Sequence, residues 1–360
     1  MSLQFHAIWS DLTDQPFNLE FAVTMRCNSK CNQCSVWRYR TDKKEMSTEE
    51  IRRIFESYRG FKLVGITGGE AYMRPDLREI VRIIVTTQRQ LKWISCTSNG
   101  LIPTIPERLK EILSDHPQVP YTQFISVDGP KEIHDKARGV DGSWEMATNI
   151  LGKITDFQDD FPHFRAGFVT LCSPWNIDRF DEVLDEAERL RDTYGLEPSF
   201  CIWFIGQLYK NTTAEGQSTP DANGFRTKML PYIPRMKEIV STSSYYSIGR
   251  RVFYDLLEGW IKNPSQTIVP CGAAKTRYFL DPYGTVLPCT IWDNPIINLR
   301  DVDFNWSTML SSPERALVRK AVQCQECPIC ANTCETIPAM NTQPNRVFLK
   351  WIQTKVSDKH

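Results

Sequence analysis

The sequence predicts an α/β fold: a partial (β/α)6 barrel of parallel strands with helices outside, followed by a small cysteine-bearing C-terminal extension. Three observations predict it. Strand-like and helix-like segments alternate six times across the first two-thirds of the chain, the pattern of a parallel sheet. Short polar motifs recur at the C-terminal ends of those strands, where such sheets place their active sites. Nine of the twelve cysteines fall in two groups, within 27–34 and within 271–334.

The elements follow in order. Residues 19–25 are an apolar run ending just before Cys27. Ser47 and Glu50 make a capping box and open a helix that stops at Gly60. Residues 61–67 read as the second strand, and Pro75 and Asp76 open a helix rich in Ile, Val and Arg. Residues 91–98, 121–127 and 163–171 read as strands, each followed by a helix: 106–114, 144–157 capped by Ser143, and 177–194 closed by Gly195. The sixth strand is 200–205. A polar loop at 210–224 leads to helical patterns at 224–240 and 246–261, and Asn263-Pro264 begins a linker to the last cysteines. Six units fit a partial barrel better than a complete eight-unit one.

The chain has 360 residues, with 43 Lys+Arg balanced by 43 Asp+Glu, so no global charge draws it to nucleic acid. Apolar stretches such as 202–206 are strand-length, and no membrane span is expected. The N-terminus has no apolar core flanked by positive charge, so it is not a signal peptide and a cytoplasmic location is expected. In a reducing compartment, twelve cysteines point to metal ligands or catalytic thiols more than to disulfides.

Cys27, Cys31 and Cys34 place three thiolates in one loop after the first strand. Three thiolates can hold three irons of a four-iron cluster and leave the fourth iron open to a small ligand. A structural zinc would need a fourth nearby ligand, and none is evident. Gly68-Gly69-Glu70 ends the second strand, Ser98-Asn99-Gly100 the third, and Ser126-Val127-Asp128-Gly129 the fourth. His134-Asp135 and Arg138-Gly139 follow. Singly each motif reads as a turn. In order, at successive strand ends, they resemble the signature of the radical S-adenosylmethionine (SAM) superfamily from about residue 19 to 205. The chain departs from the family pattern at Gln33, where an aromatic residue is common, and at Ala71, where Pro is common.

The resemblance implies a [4Fe–4S] cluster on Cys27, Cys31 and Cys34, the catalytic cysteines, with SAM on its open iron. It implies cosubstrate contacts from Gly68, Gly69, Glu70, Ser98, Asn99, Ser126, Asp128 and Arg138. In the family the cluster donates one electron to SAM, and the 5′-deoxyadenosyl radical so released abstracts hydrogen from a substrate carbon. Net oxidation or rearrangement is the leading expectation; radical addition, and a non-catalytic iron–sulfur or zinc protein, are the alternatives.

Cys271 and Cys289 bracket a segment that reads as a β-hairpin turned at 281–284, and Cys324, Cys327, Cys330 and Cys334 follow. This part resembles the SPASM and Twitch extensions of the same superfamily, which carry auxiliary [4Fe–4S] clusters. It departs from the SPASM pattern in having only Pro328 and Ile329 between Cys327 and Cys330. One auxiliary cluster on Cys271, Cys289 and two of the last four cysteines is expected, with two clusters as the alternative and zinc as the bland reading. Cys96 and Cys201 are expected in the core, and packing is the expectation for Cys172 as well. The domains expected are an N-terminal segment 1–18, the barrel 19–210, a connection 211–265, the auxiliary cluster domain 266–340 and a tail 341–360. The implied partners are a small-molecule or peptide substrate and an electron donor such as flavodoxin or ferredoxin. The 26 residues before Cys27 are too few for a leader-peptide-binding domain, which favours a small molecule or a peptide presented by a separate partner.

Overall fold

A computed structural model describes residues 3–38, 42–196, 198–202, 222–240, 245–262, 267–327 and 330–349. Six strands form the barrel wall: β1 (Asn18–Ala22), β2 (Leu63–Thr67), β3 (Trp93–Ser98), β4 (Tyr121–Ser126), β5 (Phe164–Cys172) and β6 (Pro198–Ile202). Each pairs in parallel with the next. The helices over this part are α1 (Leu3–Thr13), α2 (Thr48–Ser57), α3 (Leu77–Thr87), α4 (Ile105–Asp115), α5 (Lys131–Arg138), α6 (Ser143–Thr155), α7 (Phe157–Asp160) and α8 (Phe180–Tyr194). Then come α9 (Ala222–Met229), α10 (Ile233–Ile239) and α11 (Tyr245–Lys262). The extension holds β7 (Arg277–Leu280), β8 (Thr285–Leu287), β9 (Ile297–Asn298), α12 (Trp306–Leu310), α13 (Pro313–Gln323) and α14 (Thr333–Thr342). Among the described residues no helix is long and apolar enough to cross a membrane.

The capping box on α2 forms as expected: Ser47 Oγ accepts from Glu50 N at 3.3 Å, and Ser47 N donates to the Glu50 carboxylate at 2.8 Å. Three local expectations are corrected. Helix α2 ends at Ser57, short of Gly60, because Tyr58 turns extended and its hydroxyl donates to Pro16 O at 2.7 Å. Ser143 does not cap α6 but is its first residue; the left-handed Gly142 precedes it, and Ser143 Oγ donates to Asp135 Oδ1 at 2.8 Å. That helix stops at Thr155 and a separate turn, α7, follows. The loop at 210–221, the last residues of the sixth predicted strand and the linker at 263–264 lie outside the described residues.

The predicted hairpin is present, since β7 and β8 pair antiparallel. It does not stand apart from the barrel. Strand β7 lies parallel to β1 on the edge that β2 leaves open, with Asn18 opposite Arg277. One sheet therefore runs β6-β5-β4-β3-β2-β1-β7-β8-β9. Covering the β1 edge this way removes a row of unpaired backbone groups.

Alternation along the strands divides core from lumen. Phe21, Val64, Ile66, Ile94, Ile125, Phe168 and Phe200 point outward and are buried with the helices. The opposite positions are mostly small or polar. Glu20, Thr67, Ser95, Thr97, Thr122, Val169 and Cys201 are only partly buried. The inward face of the barrel is thus largely polar or small, in contrast to the apolar outward face.

Candidate active site

The loop after β1 is fixed from the far side by α5. Lys30 N donates to Arg138 O at 3.0 Å, Asn32 N to Ala137 O at 2.9 Å, and Asn32 Nδ2 to Lys136 O at 2.8 Å. The carbonyls at the end of a helix lack intrahelical partners, and here the cysteine loop supplies them. Gly139 ends α5 in the left-handed region at φ 65°, and a Cβ there would lie 2.5 Å from Lys30 O. No side chain fits where helix and loop meet. Sequence reading identified Arg138-Gly139 as a motif but missed the helix that makes it a clamp.

Cys27, Cys31 and Cys34 all sit in this loop, and Cys27 feels Cys31, Cys34 and Glu70 electrostatically. Burial pushes the Cys27 thiol up to about 12, so metal binding there must displace its proton. Asn99 Nδ2 approaches Cys27 Sγ at 3.8 Å, Arg138 Nη1 approaches Cys31 Sγ at 3.9 Å, and Ser29 Oγ lies 3.1 Å from the same sulfur. Among the described residues no three His, Cys, Asp or Glu side chains converge on a single metal ion. Three thiols spread around one loop, with donors already aimed at two of the sulfurs, fit a cluster of several irons better than one tetrahedral ion.

The Gly68-Gly69-Glu70 backbone runs against the chain leading into that loop. Gly69 N donates to Thr24 O and Glu70 N to Arg26 O, both at 2.8 Å. Gly68 has φ 138°, and a Cβ on it would lie 2.2 Å from Thr24 O. Glu70 is fully buried and its oxygens are taken: Asn99 N donates at 2.7 Å, Ser98 Oγ at 2.9 Å and Tyr72 N at 3.1 Å. Burial raises its carboxyl above the usual range against those donors. Glu70 therefore fixes Ser98 and Asn99, and Asn99 in turn reaches Cys27 and donates to Asn28 Oδ1 at 2.8 Å.

Asp128 is the second hub, 1 % exposed. Arg138 Nε lies 2.8 Å from Oδ2, Gln33 Nε2 donates to the same oxygen at 2.9 Å, and Leu171 N donates to Oδ1 at 2.9 Å. Arg138 thus bridges Asp128 to Cys31. Gln33, the departure from the family pattern, is buried and belongs to this network. Ser126, at the end of β4 and two residues before Asp128, is buried. Sequence reading marked Gln33 only as a departure from the family pattern, and it missed Asn176, whose Nδ2 donates to Asp128 O at 3.2 Å and which carries no local signal.

His134 accepts from Asp128 N through Nδ1 at 3.0 Å, so its ring proton sits on Nε2. Burial first, and then the Arg138 charge, lower its pKa from 6.5 to about 4. A depressed folded value means the unfolded chain binds the proton more readily. The stabilising share of neutral His134 is complete above its unfolded pKa and is lost as pH falls toward the folded one. Urea unfolding should show about 2 kcal/mol of this loss between roughly pH 7 and pH 5. His134→Asn should flatten that slope, and an unchanged slope would show that His134 is not its source.

The six C-terminal cysteines do not form one group. Cys271 lies within electrostatic reach of Cys289, Cys327 and Cys330, and Cys330 within reach of Cys289 and Cys327. Cys271, Cys289 and Cys330 pack on Ala273, Ile291 and Val322. Ala273 N and Ile291 N each point at a sulfur, of Cys271 and Cys289, at 3.4 Å. Burial pushes the Cys271 thiol up to about 11. Cys324 is exposed at the end of α13, and Cys334 faces Cys201 from α14. Cys96 and Cys172 are buried as expected, whereas Cys201 is a lumen residue and not a core one.

A buried charge network joins barrel and extension. Arg277 of β7 lies 2.7 Å from Glu335 of α14, with both side chains 3 % exposed, and its Nη2 donates to Glu20 of β1 at 3.2 Å. Glu335 also accepts from Thr290 N at 3.0 Å and Thr290 Oγ1 at 2.8 Å, one residue after Cys289. Gly65 leaves the space that the Glu20 carboxylate fills, since a Cβ there would lie 2.1 Å from Oε2.

Residues 21–192 match the family model described as the radical SAM superfamily. The chain is 29% identical over 281 residues to the mycofactocin maturase MftC of Mycolicibacterium smegmatis, covering 77% of this chain and 64% of that protein. The chain thus spans just under two-thirds of the length of this relative. It is 22% identical over 346 residues to the sporulation killing factor maturation protein SkfB of Bacillus subtilis, covering 95% of this chain and 74% of that protein. The fold is similar to that of native anSMEcpe with bound AdoMet, with a TM-score of 0.61 at 15% identity, covering 95% of this chain and 98% of that one. It is also similar to SuiB of Streptococcus suis, with a TM-score of 0.58 at 14% identity, covering 88% of this chain and 71% of that one.

Proposed function

We propose that this chain, which belongs to the radical SAM superfamily, is an enzyme that cleaves SAM reductively and modifies a peptide in its barrel lumen. Cys27, Cys31 and Cys34 would hold the [4Fe–4S] cluster. Gly68, Gly69, Glu70, Ser98, Asn99, Ser126, Asp128 and Arg138 surround the cosubstrate space beside it. When bound, this pair supplies one-electron cleavage of SAM and a 5′-deoxyadenosyl radical able to take hydrogen from carbon.

The residues' own work is positional. Arg138 puts positive charge beside Cys31, where a thiolate-ligated cluster would be negative, and Asp128 holds Arg138 in place. Glu70 holds the Ser98-Asn99 turn, which closes on Cys27. The lumen-facing Thr67, Ser95, Thr97 and Thr122 offer hydroxyls to a polar substrate. Cys271, Cys289, Cys327 and Cys330 would hold one auxiliary [4Fe–4S] cluster; Cys324 and Cys334 are left out of it. A one-electron carrier such as flavodoxin or ferredoxin would supply the electron. A peptide is favoured as substrate because both relatives are named for maturation of a product.

The observation that carries this reading is that Arg138 touches Cys31 while paired to Asp128, which ties the cysteine loop to the strand-end motifs. The test is anaerobic incubation of the reconstituted protein with SAM and a one-electron reductant. 5′-Deoxyadenosine should form with wild type and not with Cys31→Ala. A fully iron-loaded wild type that yields none would refute the proposal.

A further inference from the structure

The inward side chains of the barrel lie in layers. The lowest layer closes the N-terminal mouth. Ala7 of α1 packs there with Phe17, Leu63 and Trp93, which stand at or just before the first residues of β1, β2 and β3. Directly above this apolar floor, strand register sets Glu20 beside Gly65, Gly65 beside Ser95, and Ser95 beside Thr122. Arg165, opposite Thr122 on β5, is exposed and donates to Pro162 O at 2.8 Å. Among the described residues, Glu20 is the only acid at an inward position of β1 to β6.

Gly65 decides where that acid lies. A Cβ on Gly65 would stand 2.1 Å from Glu20 Oε2 and 2.6 Å from Oε1. The carboxylate therefore lies across β2, and Ser95 is one strand spacing further on, about 4.8 Å. Trp93 Nε1 donates to Thr122 Oγ1 at 2.8 Å, and a hydroxyl oxygen has a second lone pair to offer.

Charge in this layer does not balance. Arg277 brings one positive charge to two carboxylates, Glu335 at 2.7 Å and Glu20 at 3.2 Å. The Arg277 and Glu335 side chains are 3% exposed, and that of Glu20 is 22% exposed. The group that meets the lumen is thus a carboxylate holding the longer contact to a shared arginine. A negative charge left over in a mostly buried network calls for a cation.

We infer that Glu20 determines substrate specificity by receiving the ammonium tip of a lysine-type side chain of the peptide, beside Ser95 and Thr122. This rests on the reading of the chain as a peptide-modifying radical enzyme. An ammonium has three donors, and Glu20 with the two hydroxyls supplies three acceptors. The depth also fits. Glu20 lies two residues below Ala22 at the end of β1, about 7 Å along the strand. A four-carbon side chain covers that depth while its backbone stays at the strand ends, near the cysteine loop.

The test titrates the cluster-loaded full chain anaerobically, with SAM and no reductant. The probes are the capped tripeptides acetyl-Ala-Lys-Ala-amide and acetyl-Ala-Gln-Ala-amide, followed by saturation-transfer NMR. The lysine peptide should bind about tenfold more tightly or better, and Glu20→Gln should erase the difference. The urea midpoint of Glu20→Gln should not fall, because Arg277 keeps Glu335; a purely structural Glu20 would lower it. Ser95→Ala, outside the ion network, should narrow the difference at an unchanged midpoint, and it keeps the test open if Glu20→Gln loads poorly. Equal binding of the two peptides by wild type, binding of neither at millimolar concentration, or a preference that survives Glu20→Gln would overturn the inference. The titration needs no turnover. If SAM is not cleaved but the lysine preference holds, the radical-enzyme reading falls and this site stands; if SAM is cleaved and the preference is absent, the site alone falls.

Discussion

Asp128→Ala is expected to destabilise the protein by about 3–5 kcal/mol, the cost of leaving a buried cation without its partner. The Arg138 side chain is 12% exposed and pairs with Asp128 at 2.8 Å. Gln33 Nε2 and Leu171 N lose their acceptor in the same variant. Damage should spread to the cysteine loop, since Arg138 reaches Cys31 and its carbonyl accepts from Lys30 N and Ser29 Oγ. Reconstitution should therefore give less iron as well as a lower midpoint in urea. Asp128→Asn keeps the shape and should lose less. Near-wild-type stability and iron in Asp128→Ala would show that this hub is not what holds the loop.

Arg277→Ala should cost a similar amount, about 3–5 kcal/mol, by leaving two carboxylates inside the fold without a counter-charge. Glu335 sits at 2.7 Å from Arg277 and Glu20 at 3.2 Å. Burial already raises the Glu20 carboxyl while Arg277 opposes that shift. Without the arginine the carboxyl should rise further and take a proton more readily. The deficit should then shrink as pH falls, because a protonated carboxyl tolerates burial. Urea titrations of wild type and variant at about pH 8 and pH 5 measure this. A deficit independent of pH would assign the loss to packing rather than charge.

The strand–helix alternation was legible because each strand carries its own apolar period and each motif sits at a strand end. Cys27, Glu70, Asn99 and Asp128 were readable as one site for that reason. The contacts that hold them together were not. Gln33 stood out as a departure from the family pattern, but its pairing with Asp128, 95 positions away in sequence, did not. Helix α5 was hidden by its polarity: only Ile133, His134 and Ala137 are buried in it, too few to stand out as a periodic face. The hairpin was legible from its turn residues, but its docking on β1 was not. Pairing of Asn18 with Arg277 is a choice between distant edges, made by burial of both strands. The last four cysteines looked alike in sequence, and only the fold separates the exposed Cys324 from Cys327 and Cys330, which lie within reach of Cys271.

The most direct test of the account is to count iron and sulfide per chain after anaerobic reconstitution, in wild type and in the Cys27/Cys31/Cys34→Ala variant. About eight irons are expected in wild type and about four in the variant, one four-iron cluster at each site. A variant that keeps all of its iron would contradict the assignment of the first cluster to these three cysteines.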